Sequence, residues 1–248
     1  MSWNIPSFVF VSALLCGFSS MAEKPSLPQS ESGANVRTLS FKAAPAQPEY
    51  ALQIYTSAGQ GIIKVINGAG DLLQTLTCPL DPSQVEAVSR QFIERFTAED
   101  LDLDGYLDLR GTRSFGAKWQ RDCIWLYDPQ SHNFYQDTFS QQMETLSNLL
   151  VDPKHQRIVS YSIGPANPLW DEYRIERTGK NRPYWARLIP VKSCFLDTDG
   201  ADTENRNRNE FTMVTTRYEN GRSIVERHVL ASGAKVGLDT PCSALKYR

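Results

Sequence analysis

The chain has little that would mark it for nucleic acid or for a membrane. Its 26 Lys and Arg are offset by 28 Asp and Glu, a formal net charge of -2. The dense cationic surface that a phosphate backbone rewards is therefore missing, and no nucleic-acid partner is expected. Mean hydropathy is -0.39, and the one long apolar run lies at the extreme N-terminus, which excludes a polytopic membrane protein. No internal repeat is evident, so a propeller of identical blades is not supported. The patterns GxSxG, HExxH, the P-loop and strand–GxGxxG–helix are absent. The five cysteines form no CxxC pair, which removes the usual sequence sign of a zinc site. Long helical patterns are absent too. His132, His155 and His228 lie far apart and read as surface or strand residues, so the expectation is a protein that is not an enzyme. What is present, 41% hydrophobic and 22% charged residues over 248 positions, is the composition of a globular protein able to bury a core.

The N-terminus reads as an address. Phe8 to Gly17 (FVFVSALLCG) is an apolar run of about ten residues, the length of a signal-peptide core and half of what spans a bilayer. Ser20-Met21-Ala22 fits a small-x-small cleavage site. Cys16 ends the run, but Leu15 stands where lipid attachment prefers a small residue, so cleavage is favoured over a lipid anchor on Cys16. The expected organisation is a signal peptide over residues 1–22, a flexible Pro/Ser/Ala-rich leader over 23–48, and a single all-β domain over 49–248. Export leaves Cys78, Cys123, Cys194 and Cys242 in an oxidising compartment. Four cysteines allow three pairings. Cys78–Cys123 with Cys194–Cys242 is preferred, because each closes a loop within one half of the chain.

From Glu49 onward the periodicity is that of strands. Tyr50–Tyr55, Ile62–Ile66 and Leu72–Cys78 are separated by turn material, with Asn67-Gly68 a hairpin signal. Asp81-Pro82 predicts the start of a short helix. Lys118–Tyr127 and Asn133–Phe139 read as a hairpin across Asp128-Pro129-Gln130-Ser131. Later strands are expected at Gln156–Ile163, Glu172–Thr178, Tyr184–Val191, Phe211–Tyr218 and Ser223–Leu230, the last two joined by Asn220-Gly221. Many short strands at even spacing argue an all-β sandwich, barrel or propeller.

One motif carries specific chemistry. Asp100 to Asp108 spells DLDLDGYLD, and four carboxylates so close together repel one another unless a cation neutralises them. Asp100, Asp102 and Asp104 can converge on one centre, Gly105 permits the sharp turn, Tyr106 offers its backbone carbonyl, and Asp108 adds a direct or water-mediated oxygen. All-oxygen ligation of this kind suits structural Ca2+ better than magnesium. The match to an EF-hand is incomplete, since position twelve is Gly111 and no good helix follows. Leu101, Leu103, Leu107 and Leu109 alternate with polar residues instead, as in a calcium loop that runs straight into a strand. A second acidic stretch, Asp197 to Asp202, reads as a polar loop.

The run Glu99 to Leu109 (EDLDLDGYLDL), followed by Ile124-Trp125-Leu126-Tyr127-Asp128-Pro129, Phe134 and a strand ending in Ser160-Tyr161-Ser162, resembles a family of exported bacterial proteins. They include periplasmic inhibitors of invertebrate-type lysozymes, and immunity proteins against peptidoglycan-hydrolase effectors of type IV secretion systems. The resemblance covers about Tyr50 to Tyr184 and implies a propeller-like all-β fold, a periplasmic or secreted location and a lysozyme-like hydrolase as partner. It also implies inhibition by a loop entering the hydrolase cleft. The corresponding segment is Ser162 to Arg174, where Ser162, Gly164, Trp170, Tyr173 and Arg174 are the expected contacts. Trp, Tyr and Arg dominate binding hot spots, although the two prolines and the Trp depart from the family's shorter loop. A module that binds cell-wall glycan or an envelope protein without inhibiting anything is the rival reading, with Trp119, Trp125 and Trp185 as candidate contact surfaces.

Overall fold

A computed structural model describes residues 36–163, 168–178, 185–197 and 211–230. The expected signal peptide, with Cys16, lies outside them. The first sheet is a meander of β1 (Arg37–Lys42), β2 (Glu49–Ser57), β3 (Gln60–Asn67) and β4 (Leu72–Pro79), every neighbouring pair antiparallel. Alternation sets its inner face: Tyr50, Leu52 and Ile54 of β2 and Ile63 and Val65 of β3 are buried, as period-two patterning requires. A turn of 3-10 helix over Pro82–Gln84 leads into α1 (Val85–Glu94), and the Asp81 carboxylate accepts from the Ser83 amide at 2.9 Å. The predicted helix start is thus in place.

The second sheet is β5 (Thr97–Glu99), β6 (Asp108–Phe115), β7 (Gln120–Asp128) and β8 (Asn133–Tyr135). It is followed by α2 (Thr138–Glu144). The third sheet comprises β9 (Leu150–Asp152), β10 (Arg157–Ile163), β11 (Pro168–Thr178), β12 (Trp185–Asp197), β13 (Phe211–Glu219) and β14 (Arg222–Leu230), again in sequential order. The described chain is therefore mostly strand, in antiparallel sheets of which none closes.

Three expectations need correction. The leader expected over 23–48 is strand from Arg37 to Lys42: β1 pairs with β2 from Arg37 opposite Ile54 to Lys42 opposite Glu49. Phe41 and Ala43 enter the core, and the Arg37 guanidinium donates to the carbonyls of Ile93 and Glu94 at the end of α1, both at 2.9 Å. A cation there satisfies carbonyls that the helix leaves orphaned. Asn133–Phe139, expected as one strand, stops at Tyr135. The Asp137 carboxylate accepts from the Ser140 amide at 2.8 Å and the Ser140 hydroxyl accepts from the Asp137 amide at 2.8 Å. That reciprocal cap starts α2 and turns Phe139 and Met143 onto one buried face,. Finally, the segment expected as a protruding loop from Ser162 to Arg174 is strand from Pro168 onward. Ser162 pairs with Leu169 and Tyr161 with Trp170, because pairing with β10 and β12 satisfies both edges of β11.

Two cores result, and β7 divides them. Cys123, Trp125 and Tyr127 face the first, with β1–β4, Val88 and Phe92. Ile124 and Leu126 face the second, with Leu101, Phe139, Met143, Leu149 and Ile158. A strand buried on both faces reads as a continuous apolar run, and CIWLY is one. The disulfide Cys78–Cys123 ties β4 to β7 inside the first core. Closing a chain separation of 45 residues is worth about 4 kcal/mol in the chain-entropy model.

Candidate metal centre

The acidic motif forms the connection from β5 to β6, at the seam of the two cores. Leu101 is buried in the second core, while Leu109 is buried in the first and Tyr106 packs against it. Leu107 donates its amide to the Ala43 carbonyl at 2.8 Å, which pins the loop to the β1–β2 turn. Leu103 and Gly105 take positive φ of 61° and 93°; glycine adopts that conformation without penalty, and it lets the loop double back.

Carboxylate oxygens of Asp100, Asp102 and Asp108 lie within 4.8 Å of one another. Asp102 and Asp108 are completely buried and Asp100 is half-buried. Asp100 accepts from the amides of Asp104 at 3.0 Å and Gly105 at 2.9 Å, one on each oxygen. Asp108 accepts from Leu101 at 2.9 Å and from Tyr127 of β7 at 2.8 Å. Asp104 stands outside the cluster, and its carboxylate accepts from the Tyr106 amide at 3.0 Å. Of the expected ligands, then, three aspartates converge, Asp104 shapes the turn, and Asp108 also braces the loop against β7. The Tyr127 amide was not foreseeable from the motif, because it comes from 19 residues away.

Burial holds Asp100 above the usual carboxylate range; the amides of Gly105 and Asp104 oppose it and the charge of Asp102 reinforces it. Concentrated negative charge in a low-dielectric seam is what a bound cation offsets. The residues fit a hard cation: the donor set is all oxygen, with neither nitrogen nor sulfur among the clustered ligands,. Asp100, Asp102 and Asp108 could hold a metal ion.

The other expected site residues are dispersed. Tyr173 packs against the second core, and burial pushes its hydroxyl up to about 12, with Asp171 and Tyr218 adding to the effect. Trp170 is half-buried, while Arg174 is exposed and lies 3.8 Å from Glu176. Ser162 is on β10, and Gly164 lies outside the described residues. Cys194 is buried and disulfide-bonded; its expected partner Cys242 lies outside the described residues, as does most of the second acidic stretch. Trp125 belongs to the first core, whereas Trp119 is 37% exposed. His132 contacts the Tyr127 hydroxyl at 3.1 Å and His155 the Asp152 carboxylate at 2.6 Å. Among the described residues, no helix is long and apolar enough to cross a membrane. Compared with known proteins, the chain matches no family model, no curated protein and no solved structure.

Proposed function

We propose that this is an exported calcium-binding protein that inhibits a lysozyme-like peptidoglycan hydrolase, without enzymatic activity of its own. The observation that carries the reading is the acidic loop held at the seam of two cores, within the order of motifs that resembles the inhibitor and immunity family. Calcium would be structural. By neutralising Asp100, Asp102 and Asp108 it would lock the start of β6 to β7, and so fix the second sheet under the third. The buried disulfide supports an oxidising compartment such as the periplasm or the exterior. In this reading the three meanders are the blade-like units of a propeller-related fold. The β10–β11 hairpin, with Ser162, Trp170 and Arg174, is the element offered to the hydrolase cleft, and Tyr173 anchors it from beneath.

The test is a peptidoglycan lysis assay against a panel of lysozymes and secreted bacterial hydrolases, run in Ca2+ and in chelator. Stoichiometric loss of lysis is expected, weakened at least tenfold by Arg174→Ala and by chelation. Lysis unchanged with every enzyme, while calorimetry still detects Ca2+ binding, would leave the metal site and remove the inhibitor.

A further inference from the structure

The turn joining β6 to β7 holds an aromatic side chain, Trp119, that is 37% exposed, and its construction is specific. The Gly116 amide donates to the Trp119 carbonyl at 2.8 Å. The Trp119 indole lies so close against Gly116 that a Cβ there would overlap the ring. The Arg121 guanidinium sits 5.9 Å from the ring centroid, within cation–π range. Beside the indole opens a cavity of about 460 Å³, inside the range of small-ligand sites. Gln91 reaches it from α1 and Arg95 from the residue that caps that helix, Lys118 and Trp119 from the turn, and Asn148 and Tyr161 from the approach to the third sheet and from β10.

Three properties define what would bind. The charge of the lining is positive: it includes Arg95 and Lys118 and no carboxylate, and neither cation is in a salt bridge among the described residues. Next, the Gln91 Oε1 is buried and has no hydrogen-bond partner, a deficit that a ligand donor would relieve. Lastly, the walls are already tied together. Arg95 donates to the Gln120 Oε1 at 3.3 Å, and Gln120 donates in turn to Asp122 at 2.7 Å. Asn148 Nδ2 donates to the carbonyls of Lys118 and Tyr161, both at 2.9 Å. Little order remains to be imposed on binding.

We propose that this groove binds an acidic saccharide, independently of any hydrolase. The apolar face of a pyranose ring would lie on Trp119, a carboxylate on the sugar would meet Arg95 and Lys118, and a hydroxyl would donate to Gln91. A bare phosphate supplies no ring face. An acidic peptide supplies the charge without a sugar's ring face.

The proposal is tested by calorimetry on the purified protein with trigalacturonic acid, cellotriose and triglutamate, in chelator so that no calcium-bridged uronate contributes. Trigalacturonic acid is expected to bind at least tenfold more tightly than cellotriose and triglutamate. Trp119→Ala should weaken it more than tenfold. Gly116→Ala, which keeps the indole but displaces it, should weaken it by a comparable factor. Arg95→Gln should bring trigalacturonic acid down to the level of cellotriose. All three substitutions lie at an exposed turn or helix end, and thermal melts check that each variant folds. Equal binding of triglutamate would mean that the groove reads charge alone. That result, an unchanged affinity in folded Trp119→Ala, or no binding of trigalacturonic acid would overturn the proposal.

Discussion

Strands β7 and β14 are each nine residues long and each lies in a hairpin, yet β7 is buried along its middle where β14, from Arg222 to Arg227, is largely exposed. In β7 the whole run from Asp122 to Tyr127 is buried, whereas in β14 Ser223, Ile224, Val225 and Arg227 are exposed. Strand-forming tendency does not separate them, since both are rich in β-branched or aromatic residues. Position does. The second sheet has a core on each face, so β7 alternates its side chains between two interiors. The third sheet is assembled in sequential order, which leaves β14 at its border among the described residues. There Arg217 and Glu226 pair across the exposed strands at 2.9 Å, and charge of this kind discourages edge-to-edge association. Apolar density follows the same division: CIWLY against SIVER.

Truncation should widen that contrast before anything else does. Trp125→Ala removes a side chain only 2% exposed and should lower stability by about 3–5 kcal/mol. Val225→Ala, 52% exposed, should change it by less than about 0.5 kcal/mol. Urea midpoints of the two variants check both values, and similar losses would mean that β14 is covered in solution. Next in size is the disulfide. Replacing Cys78 and Cys123 together by Ala should cost about 4 kcal/mol, read as a fall in the urea midpoint measured without reductant. A loss well under 1 kcal/mol would show that packing alone holds β4 to β7.

The same contrast explains how much could be read from sequence. Hairpins are local, so they were legible: Asn220 and Gly221 take φ of 50° and 74°, the left-handed pair that an Asn-Gly turn requires. The start of α1 was legible for the same reason, through Asp81 and Pro82. The strand β1 was not, because Leu39 and Phe41 are two apolar positions in a polar run and gain meaning only beside β2. Nor was α2, whose Asp137–Ser140 cap was hidden by a plausible strand pattern through Phe139. The acidic loop was legible as a concentration of oxygen ligands. The bracing of Asp108 against Tyr127 was not, since it depends on which strand β6 pairs with. Trp119 and Trp125 are alike in sequence, but Trp125 falls on an inward position of β7 and Trp119 stands in the turn before that strand, beside an open groove.

The smallest expected effect is one of sign. Glu144, on α2 against β7, accepts from the Ile124 amide at 2.9 Å and lies 3.4 Å from Arg113. Burial raises its pKa, and although Ile124, Arg113 and Gln136 oppose it, the carboxyl stays above its ordinary range. Asp152, in the third sheet, lies 3.0 Å from Arg157 and 2.6 Å from His155. There burial also raises the pKa, but the hydrogen bonds from His155 and Arg157 prevail and hold it below its ordinary range. A raised carboxyl binds its proton more tightly in the folded state, so its contribution is complete below the unfolded value, about 4.3 for Glu. That contribution is lost as pH rises through the folded value. A depressed carboxyl contributes fully above the unfolded value, about 3.9 for Asp, and that stability is lost as pH falls through the folded value. The stability of the wild type minus that of Glu144→Gln should therefore fall as pH rises above about 4. The corresponding difference for Asp152→Asn should rise as pH increases through the acid range up to about 5. Urea titrations at half-unit pH intervals measure both. Slopes of the same sign would mean that α2 and the β9–β10 turn hold their carboxylates in equivalent surroundings, and the division between the two-sided core and the outer sheet would not extend to its charges.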